Sequence, residues 1–359
     1  MKAVIRRGTE LVDTEIADPV PGEGQALVST LVCGICGSDL HALHHLDHML
    51  ALTKRAGGLE TVDPARDVVF GHEFCAEVLD YGPGCSGAIK PGTRVVSVPA
   101  AFGPQGGELV GYSNRFPGGF AERMVLTEAL LLPVPNGLDA ERAALTEPMA
   151  VGEHAVAQAP LTPRSVCLVI GCGPVGLSVI SALKARGHGP VIATDLSPER
   201  RQAAEALGAD IVLDPRDHSP HDRWEGFDVP ATMASFSASQ LMGRLVRDAV
   251  VFECVGVPGM IQQLIEKAPP TASIVVVGVC MESDTIEPSL AINKQLNLKF
   301  MYGYSADEFA ATLRAIAEGE RDVTALISHT VGRSGAAEAF EKLGQGGREI
   351  KILVDPSRD

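Results

Sequence analysis

The sequence predicts a two-domain α/β protein, in which a small all-β domain precedes a parallel sheet covered by helices. The chain has 359 residues, which is more than one hydrophobic core usually holds. Residues 2–151 consist of short apolar stretches between Gly/Pro turns, a pattern typical of a small β-barrel or sandwich. From residue 152 onward, continuously apolar strands alternate with helical patterns, which indicates a doubly wound parallel sheet.

Individual elements follow from these patterns. In the first domain, strands are predicted over residues 25–32, 74–81, 95–98, 120–126 and 130–134. In the second, strands are predicted over 165–170, 191–194, 211–213, 249–252 and 273–278, with helices over 152–158, 174–186 and 198–207. Residues 214–248 are predicted to form an irregular insert. Residues 301–359 are predicted to return to the first domain, so the expected boundaries are 1–151, 152–300 and 301–359.

Composition narrows the class of partner. The formal net charge is −15, and an acidic surface argues against binding to a nucleic-acid backbone. No apolar run approaches the ~20 residues of a membrane helix, and the N-terminus enters a strand pattern without a signal-like apolar segment. The 8 cysteines are scattered, as is typical of a reducing compartment. We therefore expect a cytoplasmic protein that acts on a small molecule.

A glycine-rich loop at residues 171–176, Gly-Cys-Gly-Pro-Val-Gly, predicts a dinucleotide site. It follows a buried strand and opens a helix, so the phosphates would meet the free N–H groups of the helix N-terminus. The positions expected to bind the cofactor are Gly171, Gly173, Pro174, Val175 and Gly176.

The acidic residue after the next strand predicts which cofactor binds. Asp195 can accept from the ribose hydroxyls and would repel a 2′-phosphate, which favours NAD over NADP. Arg200 and Arg201 could pair with the adenosine side, or with a 2′-phosphate if Asp195 turned away.

Reactive side chains are concentrated around residues 32–41, where a strand runs into a Gly-broken turn that presents Cys36, Ser38, Asp39 and His41. A hydrophobic core has little use for this mixture, because each buried polar group needs a partner. A metal site with a proton path to water does use it. Gly71-His72-Glu73 and Glu147-Pro148 supply further metal-binding side chains.

In this order, the motifs resemble the zinc-dependent medium-chain alcohol and polyol dehydrogenases along nearly the whole chain. The resemblance implies a GroES-like β-barrel catalytic domain, a Rossmann cofactor domain and an active site in the cleft between them. By the same resemblance, Cys36 and His72 match two zinc ligands, Glu73 lies beside or on the metal, and Glu147 matches the third protein ligand. Which glutamate binds the metal at rest stays open.

Other roles are also implied by the resemblance. Ser38 matches the hydroxyl that accepts the alcohol proton and His41 the end of the proton relay, while Asp39 orients a ligand. The positions that match contacts to the nicotinamide ribose and carboxamide are Cys254, Val255, Val277 and Val279, which could instead be plain strand ends.

The sequence departs from the family pattern in two places, and each departure leads to a structural prediction. Residues 99–122 contain no cysteine, so we expect one catalytic zinc and no structural zinc, with this lobe held by packing or by a subunit contact. Residues 44–67 form an insert that we expect to be an amphipathic helix and loop over the substrate pocket. The alternative is that the histidine pairs 41/45 and 44/48 chelate a second metal. Cys33, although part of a C-x-x-C, is interpreted as a buried small residue.

The sequence therefore predicts a zinc- and NAD-dependent oxidoreductase that transfers hydride between a secondary alcohol, diol or polyol (or the ketone) and the nicotinamide. Family habit suggests a homodimer or homotetramer. The alternatives are a zinc-free quinone or enoyl reductase of the same fold, which would lack the Cys36/His72 set, and a non-enzymatic NAD-binding protein, against which the intact proton relay argues.

Overall fold

The computed structural model describes residues 1–103 and 106–359, and the chain in it divides into two compact units. The first unit contains residues 1–147 and 309–359, and the second contains residues 148–308. The boundaries expected from sequence, after residues 151 and 300, differ from the observed ones, after residues 147 and 308, by four and eight residues. Pro104 and Gln105, which belong to the cysteine-free lobe, lie outside the described residues.

The first unit begins with a series of strands. In chain order its elements are β1 (Lys2–Arg7), β2 (Glu10–Glu15), β3 (Gln25–Gly34), α1 (Gly37–Arg55), β4 (Glu73–Tyr81), β5 (Arg94–Ser97), β6 (Ala100–Gly103), β7 (Gly106–Leu109), β8 (Arg123–Thr127), β9 (Leu131–Pro133) and α2 (Ala140–Ala144). The strand predicted to begin at Phe120 begins instead at Arg123, because Ala121 forms an isolated bridge with Ala3.

Strand β3 is the centre of this unit. It pairs antiparallel with β4 along its length, with β8 at its N-terminal half and with a C-terminal strand at Cys33 and Gly34. The seven-stranded sheet packs around a core that includes Phe70, Phe74 and Phe120. Cys33 is fully buried in β3, so its interpretation as a small core residue is confirmed.

The first helix corrects one prediction. The segment expected to be a turn is the start of α1, which carries Ser38, Asp39 and His41 on its first turns. Helix formation is possible there because Cys36 caps the helix and its backbone N–H donates to Asp39 Oδ2 at 3.0 Å. The helix kinks at His45, which has non-helical backbone angles.

The described part of the cysteine-free lobe is tied to the insert by hydrogen bonds within the chain. The backbone N–H of Asp63 donates to Asn114 Oδ1 at 2.6 Å, and the Thr61 hydroxyl donates to the Tyr112 carbonyl at 3.0 Å. Val110 and Phe116 are buried beneath these contacts. The lobe is therefore fixed by polar contacts to residues 61–67, as well as by packing.

The second unit alternates strands and helices. In chain order its elements are α3 (Thr146–Gln158), which starts at the unit boundary, β10 (Val166–Ile170), α4 (Pro174–Ala185), β11 (Val191–Thr194), α5 (Pro198–Ala206), β12 (Ile211–Leu213), α6 (Met233–Leu241), β13 (Ala249–Glu253), α7 (Met260–Lys267), β14 (Ser273–Val276), α8 (Pro288–Lys294) and β15 (Asn297–Phe300). The insert expected to be irregular holds a 3-10 helix over Pro220–Phe227, with Trp224 buried, and α6.

The sheet of this unit is parallel, as predicted, with strand order β12-β11-β10-β13-β14-β15. The chain moves outward from β10 to β12 and then returns to β13 on the other side of β10. Ligands of open parallel sheets bind at such a reversal, outside the carboxyl ends of the strands. The expected place for a dinucleotide is thus the carboxyl edge of β10 and β13.

The C-terminal segment adds α9 (Ala306–Ala317), β16 (Ile327–Val331), α10 (Ala336–Gly344) and β17 (Lys351–Val354). Residues 309–359 belong to the first unit, where β17 pairs with β3 and with β16. Within residues 1–103 and 106–359, no helix has the length and apolarity needed to cross a membrane.

Candidate active site

The pairing of β3 with β4 assembles the metal-binding side chains. Gly34, the last residue of β3, lies opposite Glu73, the first residue of β4. Cys36 therefore follows one strand at the point where His72 precedes its neighbour. Ligand atoms of Cys36, His72 and Glu73 lie within 4.8 Å of one another, and this is the one such group found among the described residues.

Glu73 occupies its position because residue 34 has no side chain. A Cβ on residue 34 would lie 2.3 Å from Glu73 Oε2. The carboxylate is 1% exposed and accepts from Lys351 Nζ at 2.8 and 2.6 Å, while the same ammonium donates to the Ile35 carbonyl at 2.9 Å. Burial lowers the pKa of Lys351, but the charge and hydrogen bonds of Glu73, together with the charges of Cys36 and Glu147, hold this pKa above its ordinary value.

Asp39 organises the other side of the cluster. Its Oδ1 atom accepts from the Tyr112 hydroxyl at 2.9 Å and lies 3.5 Å from His72 Nδ1. The contact with His72 is not a hydrogen bond, because the geometry at Nδ1 does not allow one and this buried atom has no hydrogen-bond partner. Burial lowers the pKa of His72, but the charges of Asp39 and Cys36 outweigh it and raise that pKa.

The two residues of the expected proton path lie on α1. Ser38 Oγ is 3.0 Å from the Tyr112 hydroxyl and is half-buried. His41 is also half-buried, and burial together with the nearby His45 lowers the pKa of His41, so its ring is neutral near pH 7 and can accept a proton. The four histidines of α1 do not form a metal-binding group of three among the described residues.

Glu147 lies in the first turn of α3 and is half-buried. It is not among the three side chains whose ligand atoms lie within 4.8 Å of one another. Its charge nevertheless raises the pKa of Lys351, which places it near the same cluster. The structure thus brings Cys36, His72 and Glu73 together directly, with Glu147 close by.

The donor set fits zinc. A thiolate, an imidazole and a carboxylate are common ligands of a catalytic zinc, and three protein ligands leave one position for substrate. The Cys36 side chain lies at the N-terminus of α1, where it is the helix cap. The negative charge that raises the pKa of His72 also favours a divalent cation, and the buried His72 Nδ1, which has no hydrogen-bond partner, is a donor atom that such an ion could use.

The glycine-rich loop has the backbone geometry that a pyrophosphate site needs. Gly171 has φ +88°, and a Cβ on Gly176 would lie 1.8 Å from the Gly171 carbonyl oxygen. Gly173 caps α4, with Pro174 at its first position, while Val175 is half-exposed. These residues leave the helix N-terminus open to an anion.

Asp195 follows β11 and borders this loop. Its carboxylate accepts from Cys172 N at 2.7 Å and Ser197 N at 2.8 Å. The Arg200 guanidinium lies beside Gly173: the Nη1 atom of Arg200 is 3.8 Å from the position that a Cβ on Gly173 would take. Arg201 instead donates to the Asp195 carbonyl, at 2.8 Å, and so has a structural role.

The remaining predicted cofactor residues follow the carboxyl ends of β13 and β14. Cys254 and Val255 follow β13 and pack on the glycine-rich loop, since a Cβ on Gly171 would be 2.8 Å from Val255 Cγ2. Val277 and Val279 follow β14; the first is buried, so only its backbone can meet a ligand, and the second is exposed.

Comparison with known proteins identifies the family of this chain. The sequence model of the alcohol dehydrogenase GroES-like domain matches residues 22–136, and that of the zinc-binding dehydrogenase matches residues 174–318. The chain is 34% identical to (R,R)-butanediol dehydrogenase of Bacillus subtilis over 351 residues, with 95% of each chain covered. The chain belongs to the zinc-dependent medium-chain alcohol and polyol dehydrogenases.

Other members of this dehydrogenase family are similar over a comparable length. Sorbitol dehydrogenase of Gallus gallus is 27% identical, with 99% of this chain and 97% of that one covered. The crystal structure of 2R,3R-butanediol dehydrogenase from Bacillus subtilis superposes with a TM-score of 0.77 at 30% identity, covering 99% of both chains. The predicted fold class, a GroES-like domain with a Rossmann cofactor domain, is confirmed, and the protein is an oxidoreductase.

Sequence reasoning missed two residues of the site, Lys351 and Tyr112. A lysine at the start of an otherwise apolar strand, Lys351–Val354, was an available signal, because a buried ammonium requires a partner. Nothing in the local sequence distinguishes Tyr112, which reaches Ser38 and Asp39 through the fold of the lobe.

The Glu73–Lys351 pair yields a prediction about stability. In zinc-free protein, Lys351→Met should lower the free energy of unfolding by about 3–5 kcal/mol, because it leaves Glu73 buried without a counter-charge. Lys351→Met combined with Glu73→Gln should recover most of this loss. Urea unfolding of the three proteins measures both effects. If the single and double variants lost the same stability, the pair would not be the source of the effect.

Proposed function

We propose that the protein oxidises secondary alcohols of the diol or polyol class to ketones, with one zinc ion and NAD. The observation that carries this proposal is the convergence of Cys36, His72 and Glu73 on one buried point. When bound, zinc supplies Lewis-acid activation of the alcohol hydroxyl and NAD supplies the hydride acceptor.

Cys36 and His72 are the constant ligands in this proposal, and a glutamate completes the set. Glu73 is near enough to bind the metal but is held by Lys351 in two hydrogen bonds. While Lys351 holds Glu73, the third ligand is Glu147, as the family pattern implies. Lys351 therefore sets which carboxylate faces the metal.

The proton of the alcohol passes to Ser38 and then to His41. The Tyr112 hydroxyl has one proton, and Asp39 can only accept, so Tyr112 donates to Asp39 and accepts from Ser38. A lone pair of Ser38 Oγ is then free to accept the substrate proton, as the serine's own hydroxyl proton leaves its contact with Tyr112 and moves on toward His41. His41, whose pKa is lowered by burial, is neutral near pH 7 and receives the proton at the end of the path.

The cofactor of the proposed reaction is NAD, bound at the glycine-rich loop with Asp195 on the ribose hydroxyls. Arg200 lies beside Gly173, on the adenosine side of the loop. We assign the nicotinamide end to Cys254, Val255, Val277 and Val279. No structural zinc is included, because the lobe of residues 99–122 has no cysteine and is tied to residues 61–67 by hydrogen bonds.

The substrate class is inferred from the relatives, which are named butanediol and sorbitol dehydrogenases. The insert, residues 44–67, consists of the second part of α1 and the segment that follows it. We assign it to substrate selection, because α1 begins at the proposed metal ligand Cys36. The free thiols of all the cysteines are consistent with a reducing compartment, and we propose a cytoplasmic location.

We also propose a homodimer. Strand β15 is the last strand of its sheet and presents an unpaired edge among the described strands. Phe300 at the end of this edge is 67% exposed and Tyr302 beyond it is 89% exposed. Exposed aromatic side chains beside an unpaired strand edge favour association, and pairing with a second copy would cover both the edge and these side chains.

Metal content and turnover test the proposal together. We expect one zinc per chain and NAD-dependent oxidation of at least one compound in a panel of chiral diols, sugar alcohols and aryl alkanols. Cys36→Ser should lose zinc and turnover and keep NADH binding, because the thiolate belongs to the first unit and the glycine-rich loop to the second. Cys85→Ser, a half-buried thiol elsewhere, is the matched control.

Two results would contradict the proposal. Turnover of quinones or enones by metal-free protein would identify a zinc-free reductase. NADH binding without turnover of any alcohol or ketone, in protein that contains zinc, would identify a binding protein.

Cofactor preference gives a separate prediction. Asp195→Ala should reduce the ratio of kcat/KM for NAD to that for NADP by about tenfold, equivalent to about 1.4 kcal/mol, because it removes the repulsion of a 2′-phosphate. Asp217→Ala, an exposed carboxylate of the same unit, should leave the ratio unchanged. An unchanged ratio in Asp195→Ala would mean that another group discriminates.

The oligomer is tested by light scattering. Wild-type protein should have the mass of a dimer, and Phe300→Arg should shift it to monomer by placing a charge on the β15 edge. Leu241→Arg, at a side chain that is 90% exposed on α6, should stay dimeric. Monomeric wild-type protein, or dissociation by Leu241→Arg alone, would exclude this interface.

A further inference from the structure

A buried carboxylate lies at the carboxyl end of β13, where the reaction proposed above gives it no role. Glu253 is the last residue of this strand and is 1% exposed. Among the described residues, no lysine or arginine forms an ion pair with it. Burying a charge without a counter-ion costs folding free energy unless hydrogen bonds satisfy the charge. The hydrogen bonds of this side chain therefore indicate what it does in the structure.

These contacts are two backbone N–H groups of the loop that follows the strand. Glu253 Oε1 accepts from Val255 N at 2.7 Å and from Gly256 N at 2.8 Å. The backbone carbonyl of Glu253 accepts from Val277 N and Gly278 N, both at 2.9 Å, in the loop after β14. One residue thus holds the backbones of two loops that come from different strands.

The two loops also touch each other with no room for side chains. A Cβ on Gly278 would lie 2.4 Å from Gly256 N and 2.8 Å from Glu253 Oε2. A Cβ on Gly256, which has φ +69°, would lie 2.7 Å from Val279 N. A change in the path of either loop would therefore be transmitted to the other.

The position of this junction relates it to the cofactor. Strand β13 is the neighbour of β10, so the loops that follow these strands lie side by side. They are in close contact, because Val255 Cγ2 is 2.8 Å from the position that a Cβ on Gly171 would take. Along the carboxyl edge of the sheet, the order is Asp195 after β11, the glycine-rich loop after β10, then the two loops held by Glu253. A dinucleotide with adenosine at Asp195 and pyrophosphate at the glycine-rich loop places its nicotinamide at these loops.

We propose that Glu253 is a positioning residue that fixes the nicotinamide end of the cofactor, by clamping the Val255–Gly256 and Val277–Gly278 backbones in one arrangement. This inference rests on the cofactor placement of the proposed function. The clamp acts through backbone atoms, so it controls how the nicotinamide is held and leaves the binding of adenosine and pyrophosphate unaffected.

Substitutions can separate the hydrogen-bonding role of the Glu253 side chain from its negative charge. In Glu253→Gln, the amide oxygen can still accept both N–H groups, so the clamp should persist. In Glu253→Asp, the carboxylate is one methylene shorter and cannot reach both donors. In Glu253→Ala, two N–H groups lose their acceptor. The clamp therefore predicts near-normal behaviour for the glutamine variant and the same defect in the other two.

The test compares NADH with ADP-ribose, which lacks the nicotinamide. By titration calorimetry, Glu253→Ala and Glu253→Asp should weaken NADH binding about tenfold, as expected for one or two lost hydrogen bonds. Both variants should bind ADP-ribose as the wild type does. Glu253→Gln should bind both ligands normally, and Glu205→Ala, an exposed glutamate on α5, is the matched control. At saturating NAD, kcat should also fall in the alanine and aspartate variants.

Each other outcome overturns the clamp. Equal weakening of NADH and ADP-ribose would show general damage to the domain, and unchanged NADH binding in both variants would show no role. A glutamine variant as defective as alanine would show that the charge matters and the clamp does not. If the alanine variant does not fold, as judged by circular dichroism, the aspartate variant gives the same comparison. Wild-type protein that binds no NADH would count against the proposed function instead.

Discussion

The antiparallel register of β3 on β4 is the constraint on which the site depends. Placing Gly34 opposite Glu73 brings residues separated by a long insert to the same end of two paired strands. A shift of this register by one residue would send every side chain of β3 to the other face, and Cys36 would no longer meet His72. The third partner of this arrangement is β17, which pairs with Cys33 and Gly34 and delivers Lys351 beneath the cluster.

The cluster concentrates negative charge in a buried place, and the fold compensates for it with few groups. Lys351 offsets Glu73, Cys36 N and Tyr112 satisfy Asp39, and a divalent cation would offset the rest. The second unit solves a similar problem without a cation, since backbone N–H groups satisfy the carboxylates of Asp195 and Glu253. In both units, carboxylates that are buried or half-buried hold loops at strand ends, where ligand sites form.

Much of this arrangement could be predicted from local patterns, because parallel strands, the glycine-rich loop and the Cys-His-Glu motifs each have a short-range signature. The prediction of a turn at the start of α1 was wrong. Gly37 suggested a turn, but the Asp39 carboxylate completes a helix cap by accepting from the backbone N–H of Cys36, three residues earlier. Lys351 and Tyr112 were missed because their roles depend on contacts across the sheet and the lobe, and no local spacing encodes such contacts.

The central claim, a metal ion held by sulfur, nitrogen and oxygen from three distant segments, is tested most directly by X-ray absorption at the zinc edge of the purified protein. The account predicts one sulfur at about 2.3 Å and nitrogen or oxygen ligands at about 2.0–2.2 Å, with the sulfur absent in Cys36→Ser. A spectrum with four sulfur ligands, or with none in the wild-type protein, would contradict it.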